Sequence, residues 1–564
     1  MPGALATRHR RVAWALGYAA LVVAGVVVVV GPGALAFDDG FIAWPVTLPD
    51  ATVSPGDHLQ TTYYLWLWQH ALATLDHLPW FDPFQFAATG HAGAQPFGWP
   101  LVLAWLPVSL LAGPVAAYNA LAVGAFVACA GATYALARRL GASAPAAAVA
   151  GFAFAFAPFR LVQAATHVNA LLAPLLPLLL WCAEVALRGG DRSVRRAAVA
   201  TVAVQLSIMA SGELHLAVFA TGLLAAYVAL RLPGTSPERR RRLLVPAVAL
   251  VVGTGLVAAA MYAFLLQPSV AAGGRTLDEA SSFAPRPADL TRRQVDWADF
   301  ERYAYPGAAI AGLAALGAAA AMRHGRRRGL AAGLVVLAGG ATVAALAPAL
   351  DAVAPLQAAY RAIPFLSFSR VPGRILVVTA LALAVLAGFA IDLVRPGRWR
   401  LVAASLAVAA LLVDAPRDVF DRNPAGPTAL DSLEPGTTVL DLPPFDPGNY
   451  SGSVYTFLLT RSPGPRAGGY SPFVRPAARE AQARTAPLAD VPVDPCRWQE
   501  VARHLGIDHV AVHLDLYGPL DGQWPADGRA LVDALASTPG FTPVSEAGQT
   551  VVLAVDPDRL VCRP

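Results

Sequence analysis

Apolar runs long enough to cross a bilayer recur along this chain of 564 residues. A transmembrane helix needs about 20 largely apolar residues. Candidate spans run near 12–36, 115–137, 144–159, 170–187, 197–212, 214–230, 243–266, 305–322, 329–347, 373–393 and 400–414. About eleven such runs imply an α-helical polytopic membrane protein, because only helices and closed barrels satisfy their backbone polar groups in lipid. Charge agrees with this reading: 14% of residues are charged, against roughly 25% in soluble domains. The first run follows Arg8, Arg10 and Arg11 and is longer than the apolar core of a signal peptide, so it reads as an uncleaved helix. The stretch 98–113, punctuated by Pro100 and Pro107 and closed by Pro114, reads as a re-entrant or interfacial piece.

Arginine sets the expected orientation, because short cytoplasmic loops collect basic residues. All 42 basic residues are arginine. With the N-terminus inside, the inner segments hold Arg8, Arg10 and Arg11; Arg138 and Arg139; Arg188, Arg192, Arg195 and Arg196; Arg231 and Arg239 to Arg242; Arg323 and Arg326 to Arg328; and Arg395, Arg398 and Arg400. The outer segments before residue 415 are much longer and hold fewer arginines. The abundance of alanine and arginine suggests a GC-rich bacterial genome, and with it a bacterial inner membrane. The run Arg239 to Arg242 anchors topology and anionic lipid. Nucleic acid is not an expected partner of so membrane-flush a loop.

Two domains are expected. Residues 1–414 form the membrane domain, with a long first outer loop over 37–97. Residues 415–564 form a soluble extracytoplasmic α/β domain. Its β-type runs are Thr437–Leu440, His509–Val512 and Thr550–Leu553, set between helices near 474–486, 497–505 and 526–537. It has no glycine-rich phosphate loop, so a nucleotide site has no support. Cysteine spacing excludes a structural zinc site built on CxxC pairs. For Cys496 and Cys562, a disulfide and two free thiols are both open if the tail is extracytoplasmic.

Candidate chemistry lies in the outer segments. The first loop opens Phe37-Asp38-Asp39-Gly40 and continues Ser54-Pro55-Gly56-Asp57-His58 into the aromatic run Tyr63 to His70. That run reads as a helix at the membrane interface, where Trp and Tyr are favoured. Asp57 at its start is either a helix cap or a general base; Asp38 and Asp39 are either a solvated turn or a second source of the base. Arg160 and His167 flank a short outer turn, as do Glu213 and His215 at another, and ionisable groups at the membrane edge are functional candidates by default. Arg370 and Arg374 either snorkel to the headgroups or bind phosphate.

These motifs resemble the GT-C glycosyltransferases, which take sugar from a polyprenyl-phosphate carrier at the outer face. The resemblance rests on the acidic first loop and on Leu78-Pro79-Trp80-Phe81-Asp82-Pro83. It also rests on Phe154 to Arg160 with Ala165-Thr166-His167, and on Ser369-Arg370-Val371-Pro372-Gly373-Arg374, a stretch also similar to YfhO-like membrane proteins. It covers about residues 10–395 and leaves the tail outside. It implies Asp57 as the base, with Asp39 or Asp38 as the alternative. It further implies Arg370, Arg374 and Arg160 for the donor phosphate, and His58, His167, Glu213 and His215 lining the cavity. A Mg or Mn ion bridging Asp38, Asp39 and Asp57 is consistent with some family members. The implied partners are a polyprenyl-phosphate-linked sugar donor, membrane lipid, and an acceptor glycan, lipid or protein of the cell envelope. The rival reading is a non-catalytic YfhO-like scaffold or a lipid-linked glycan transporter. A transporter would be expected to show paired halves, and none is visible.

Overall fold

The computed structural model describes residues 2–562, apart from 38–39, 46–47, 49–50, 88–96, 270–274, 324–326, 351–353, 363–368, 472 and 519–526. Every one of the candidate spans falls on helix. Among the described residues, seven helical stretches are long and apolar enough to cross a membrane, and a bent pair, Ala144–Ala155 with Pro158–Thr166, makes an eighth if it is one span. Three others fall below that standard. Ala308–Arg323 and Arg398–Asp414 are short, and Asp191–Met209 opens with a charged first turn. The proline-rich stretch near 98–113 is helical from Val102, and Gly113 (φ 84°) breaks it from the span that runs on to Arg139. The chain is thus a helical multi-pass membrane protein with a small sheet-bearing C-terminal part.

Contacts divide the chain into two compact units. One comprises residues 1–36, 119–259 and 274–421; the other comprises 37–118, 260–273 and 422–564. The first outer loop therefore shares its unit with the tail rather than with the spans, which differs from the expected division at 414/415.

In the helical unit, small residues let backbones approach, as is usual where packing rather than the hydrophobic effect holds helices together. A Cβ on Gly317 would stand 1.9 Å from the Leu386 carbonyl oxygen, and one on Gly388 would stand 2.7 Å from that of Ala146. Helix Leu376–Ile391 is accordingly buried along almost its whole length. Carboxylates at the arginine-rich helix ends are paired. Glu184 accepts from Tyr227 Oη at 2.8 Å and from Arg231 Nε at 2.9 Å. Asp392 accepts from Arg327 Nη1 at 3.0 Å.

In the second unit, β1 (Phe41–Ala43) and β2 (Asp421–Asn423) make a small two-stranded sheet. The main sheet runs β3 (Val439–Leu442), β4 (His509–His513), β6 (Thr550–Val555) and β5 (Phe541–Ala547), in that spatial order. β3 and β4 are parallel, and the remaining pairs are antiparallel. Helices Pro476–Thr485, Pro495–Leu505 and Gly528–Ser537 lie where the sequence pattern put them. Edge strand β5 escapes the pattern because it carries Pro543 and exposed polar residues, as edge strands do. Cys496 and Cys562 form a disulfide.

The sheet is extended by segments from far along the chain. Val439 N donates to Pro465 O at 3.0 Å, Arg466 N to Phe84 O at 2.9 Å, and Ala87 N to Arg466 O at 3.1 Å. The first loop thereby becomes a ribbon beside the tail. The aromatic helix Asp57–Thr74 is buried from His58 to Leu67. It is a core helix of this unit, and aromatic residues suit a crowded core as well as an interface. His58 packs against Phe41 and Tyr118, with ring centroids 4.9 and 6.2 Å away. Beneath β3, Asp441 accepts from His513 Nε2 at 3.0 Å and from Arg466 Nη1 at 3.4 Å, all three side chains being buried.

Burial pushes the His58 imidazole down to about 3, against the weaker opposing effect of the Ser54 backbone. Unfolded His58 binds a proton below about pH 6.5 while the folded one does not, so its contribution to stability is full above that pH and fades as pH falls toward 3. Acidifying to pH 5 should cost about 2 kcal/mol through this group. A thermal melt of His58→Gln should lose less between pH 7 and pH 5 than wild type loses. Asp441→Ala leaves the Arg466 guanidinium buried without its carboxylate, which should destabilise the unit by about 3–5 kcal/mol and raise its susceptibility to proteolysis.

Candidate functional site

Asp57 is the first residue of its helix, after a cap at Gly56. It is partly buried and accepts a hydrogen bond from Tyr470 Oη at 3.1 Å. Tyr470 is itself held from both sides, since its N–H donates to Gln85 Oε1 at 2.8 Å and its carbonyl accepts from Gln60 Nε2 at 3.2 Å. Gln85 is fixed in turn by Asp82, which accepts from Gln85 Nε2 at 2.7 Å and Tyr63 Oη at 2.7 Å, and from the N–H groups of Phe84 and Gln85. Burial raises the Asp82 carboxyl above its ordinary value in spite of these donors. A connected series of hydrogen bonds therefore runs from the Pro-x-x-Asp-Pro stretch to Asp57. Sequence reasoning did not tie Tyr470 to Asp57, because it lies in the tail, 413 positions away. His58, expected in a cavity, stands in the aromatic core. Asp38 and Asp39 lie outside the described residues.

The helical unit carries a second constellation. The break between Ala144–Ala155 and Pro158–Thr166 bends the span by 46°, with Pro158 opening the second piece. Such a break frees carbonyl groups that must find other donors. Arg160 folds back to supply one, with Nη1 donating to Ala155 O at 2.7 Å. Its Nε meets Cys129 Sγ at 3.2 Å, and its guanidinium lies 4.5 Å from the centre of the Phe126 ring. Arg160 is 1% exposed, has no carboxylate partner among the described residues, and its buried Nη2 has no hydrogen-bond partner there.

Arg160 lines a cleft with Gln163, Asn169, His215 and Arg374, closed by Phe159, Phe219 and Val377, with an empty volume of about 320 Å³ including its open mouth. Around this cleft the ionisable groups interlock. Arg374 Nη2 donates to Glu301 Oε1 at 2.7 Å, His167 Nε2 lies 3.2 Å from the same oxygen, and His215 Nδ1 lies 3.0 Å from Glu213 Oε1. Burial by itself would raise both carboxyls. Arg374 and His167 outweigh it at Glu301, and His215, Arg374 and His167 outweigh it at Glu213, so both stay ionised below the ordinary carboxylate range. The structure thus brings together Arg160, His167, Glu213, His215 and Arg374. It leaves Arg370 apart: that side chain is half exposed, lies over the Phe283 ring at 4.3 Å and reaches Glu279 at 3.8 Å. Glu301, the hub of the cluster, was not singled out in the sequence, where it is one acid among many in the mixed segment 267–304.

No family model matches the chain, and no curated protein matches it. Among solved structures it is similar to the arabinofuranosyltransferase AftD from Mycobacteria, with a TM-score of 0.59 at 17% identity, covering 96% of this chain and 40% of that one. It is also similar to the Archaeoglobus fulgidus oligosaccharyltransferase in complex with zinc and sulfate, with a TM-score of 0.51 at 14% identity, covering 94% of this chain and 72% of that one. The chain spans about two fifths of the length of AftD. Identities this low speak to architecture alone, and the likeness runs along nearly the whole of this chain. The chain therefore has the fold of the GT-C membrane glycosyltransferases.

Proposed function

We propose that the chain is an integral membrane glycosyltransferase that moves a sugar from a polyprenyl-phosphate carrier to an envelope glycan, lipid or protein. The site faces the outside of a bacterial inner membrane. One observation carries the proposal: Arg160 is buried with no carboxylate among the described residues, in the same cleft as Arg374 and His215. A buried guanidinium without a counter-ion is costly, and an anionic ligand removes that cost. Arginine suits phosphate because its planar fork donates to two oxygens at once. Both carboxylates near the cleft are already engaged with Arg374 or the histidines, which leaves Arg160 as the cation to meet a donor phosphate. Arg370, more exposed, is the weaker phosphate candidate. Sidedness draws support from the arginine bias of alternate loops and from the Cys496–Cys562 disulfide, a bond that persists in oxidising compartments.

The reaction follows from these groups. An acceptor hydroxyl attacks the anomeric carbon, its proton passes to a carboxylate, and the bond from that carbon to the phosphate oxygen breaks with inversion. The departing phosphate keeps the electron pair and its charge, so a cation matters more at that end than a general acid does. Asp57 is the proposed base, oriented by Tyr470, with Asp39 or Asp38 as the alternative. A Mg or Mn ion is a proposed cofactor, with Asp38, Asp39 and Asp57 as the residues that would hold it. Support for a divalent ion comes from the zinc in the similar oligosaccharyltransferase.

Purified protein supplied with polyprenyl-phosphate sugars should turn over. Asp57→Asn should lower kcat by about 10²–10⁴-fold, the usual effect of removing a general base. Turnover equal to wild type in both Asp57→Asn and Asp39→Asn would remove the assignment. In the same assay Arg160→Gln should raise the donor KM by about 10–100-fold, the worth of one charged hydrogen-bonding group, while leaving the acceptor KM unchanged.

A further inference from the structure

At its C-terminal end, helix Asp57–Thr74 reverses sharply. Leu75 takes a left-handed conformation (φ 57°), with its N–H bonded to Ala71 O. A branched residue pays strain for such a turn. The reversal carries Asp76 and His77 back toward His70, one turn earlier on the helix. The His70 Nε2, Asp76 carboxylate and His77 Nε2 then face one another, with the three ligand atoms all within 4.8 Å of one another. His70 Nε2 stands 3.8 Å from Asp76 Oδ2, and His77 Nε2 stands 3.6 Å from Asp76 Oδ1. Tetrahedral zinc with bonds of 2.0–2.1 Å needs ligand atoms about 3.4 Å apart, close to the two imidazole–carboxylate distances of 3.8 and 3.6 Å.

Hydrogen bonding around the His77 ring gives the independent sign. Its Nδ1 lies 3.0 Å from the Leu78 carbonyl oxygen, which can only accept, so the proton of the neutral ring sits on Nδ1. Nε2 then presents a lone pair. That side chain is 5% exposed, and Nε2 has no hydrogen-bond partner. A lone pair held opposite a carboxylate places two acceptors face to face, and a cation between them resolves the conflict. Backbone orientation of a ligand imidazole through its other nitrogen is the usual outer support of a metal site. Asp76 has comparable support, because Thr74 Oγ1 donates to its Oδ1 at 2.5 Å. The rings are held as well. His70 stacks on Trp66 at 4.8 Å, and Phe84 presents its edge to His70 and His77 at 5.4 and 5.9 Å.

We propose that His70, Asp76 and His77 form a divalent metal site of the zinc type, pinning the end of the Asp57–Thr74 helix to the turn that follows it. Two imidazole nitrogens and one carboxylate oxygen suit zinc or cobalt rather than magnesium or calcium, which take all-oxygen sets. Asp76 is 53% exposed, so the ion has a path from solvent and a coordination position left for water. The site lies apart from Asp57, at the other end of the helix, and does not depend on the proposed transfer reaction.

The competing account is a protonated His77 paired with Asp76 and no metal. The full chain, purified with a tag free of histidine and stripped with a chelator, is titrated with Co²⁺. One equivalent should produce the visible absorption of low-coordinate cobalt; Zn²⁺ should displace it and Mg²⁺ should not. His77→Gln and His70→Gln should each weaken Co²⁺ binding by about 10–100-fold. Asp76→Asn, at an exposed position that leaves the fold intact, should weaken it in the same direction. Zn²⁺ should raise the melting temperature of wild type and leave that of the variants unmoved. The proposal is overturned if wild type shows no cobalt absorption, if Mg²⁺ displaces it, or if a His70→Gln/His77→Gln double variant binds as wild type does.

Discussion

A bilayer interior tolerates no unpaired charge, and this constraint arranges the whole helical unit. The carboxylates of Glu184 and Asp392 are matched to arginines at helix ends, Glu301 is matched to Arg374, and Glu213 lies against His215. Against that background Arg160 is the exception. It lies at a break inside a span, shares a cleft with Arg374, and satisfies a freed carbonyl rather than a carboxylate. The same break that costs a backbone hydrogen bond gives the guanidinium its place. A proline-initiated second piece is how the sequence builds a polar pocket without a polar helix.

The second unit solves a different problem. Its acidic loop is long, and a long loop alone fixes nothing. Asp82 gathers four donors, Gln85 hands the order on to Tyr470, and Tyr470 meets Asp57. This series of hydrogen bonds orients the Asp57 carboxylate, as the base proposed above requires. The neighbouring His58 is excluded from such work by its burial.

Much of the architecture was legible in the sequence because lipid imposes a plain signal. Every candidate span is helical, and three of the four strands of the main sheet follow from short β-branched runs. What stayed hidden was long-range. Nothing local marks Glu301 as the partner of His167 and Arg374, since each sits in a different segment. Tyr470 resembles any core tyrosine until the fold brings it to Asp57. The burial of the helix at 57–74 was not foreseen, because tryptophan and tyrosine favour both an interface and a crowded core. The His70, Asp76 and His77 group hid for another reason: the spacing joins them only once Leu75 reverses the chain.

The ribbon formed by residues 84–87 beside 466–468 joins segments more than 370 positions apart. During synthesis the acidic loop is made well before its hydrogen-bonding neighbours. Until they arrive, Gln85 and Asp57 lack Tyr470. A ribosome stalled before that point leaves a chain in which residues 84–87 have no strand to pair with and Asp57 has no Tyr470.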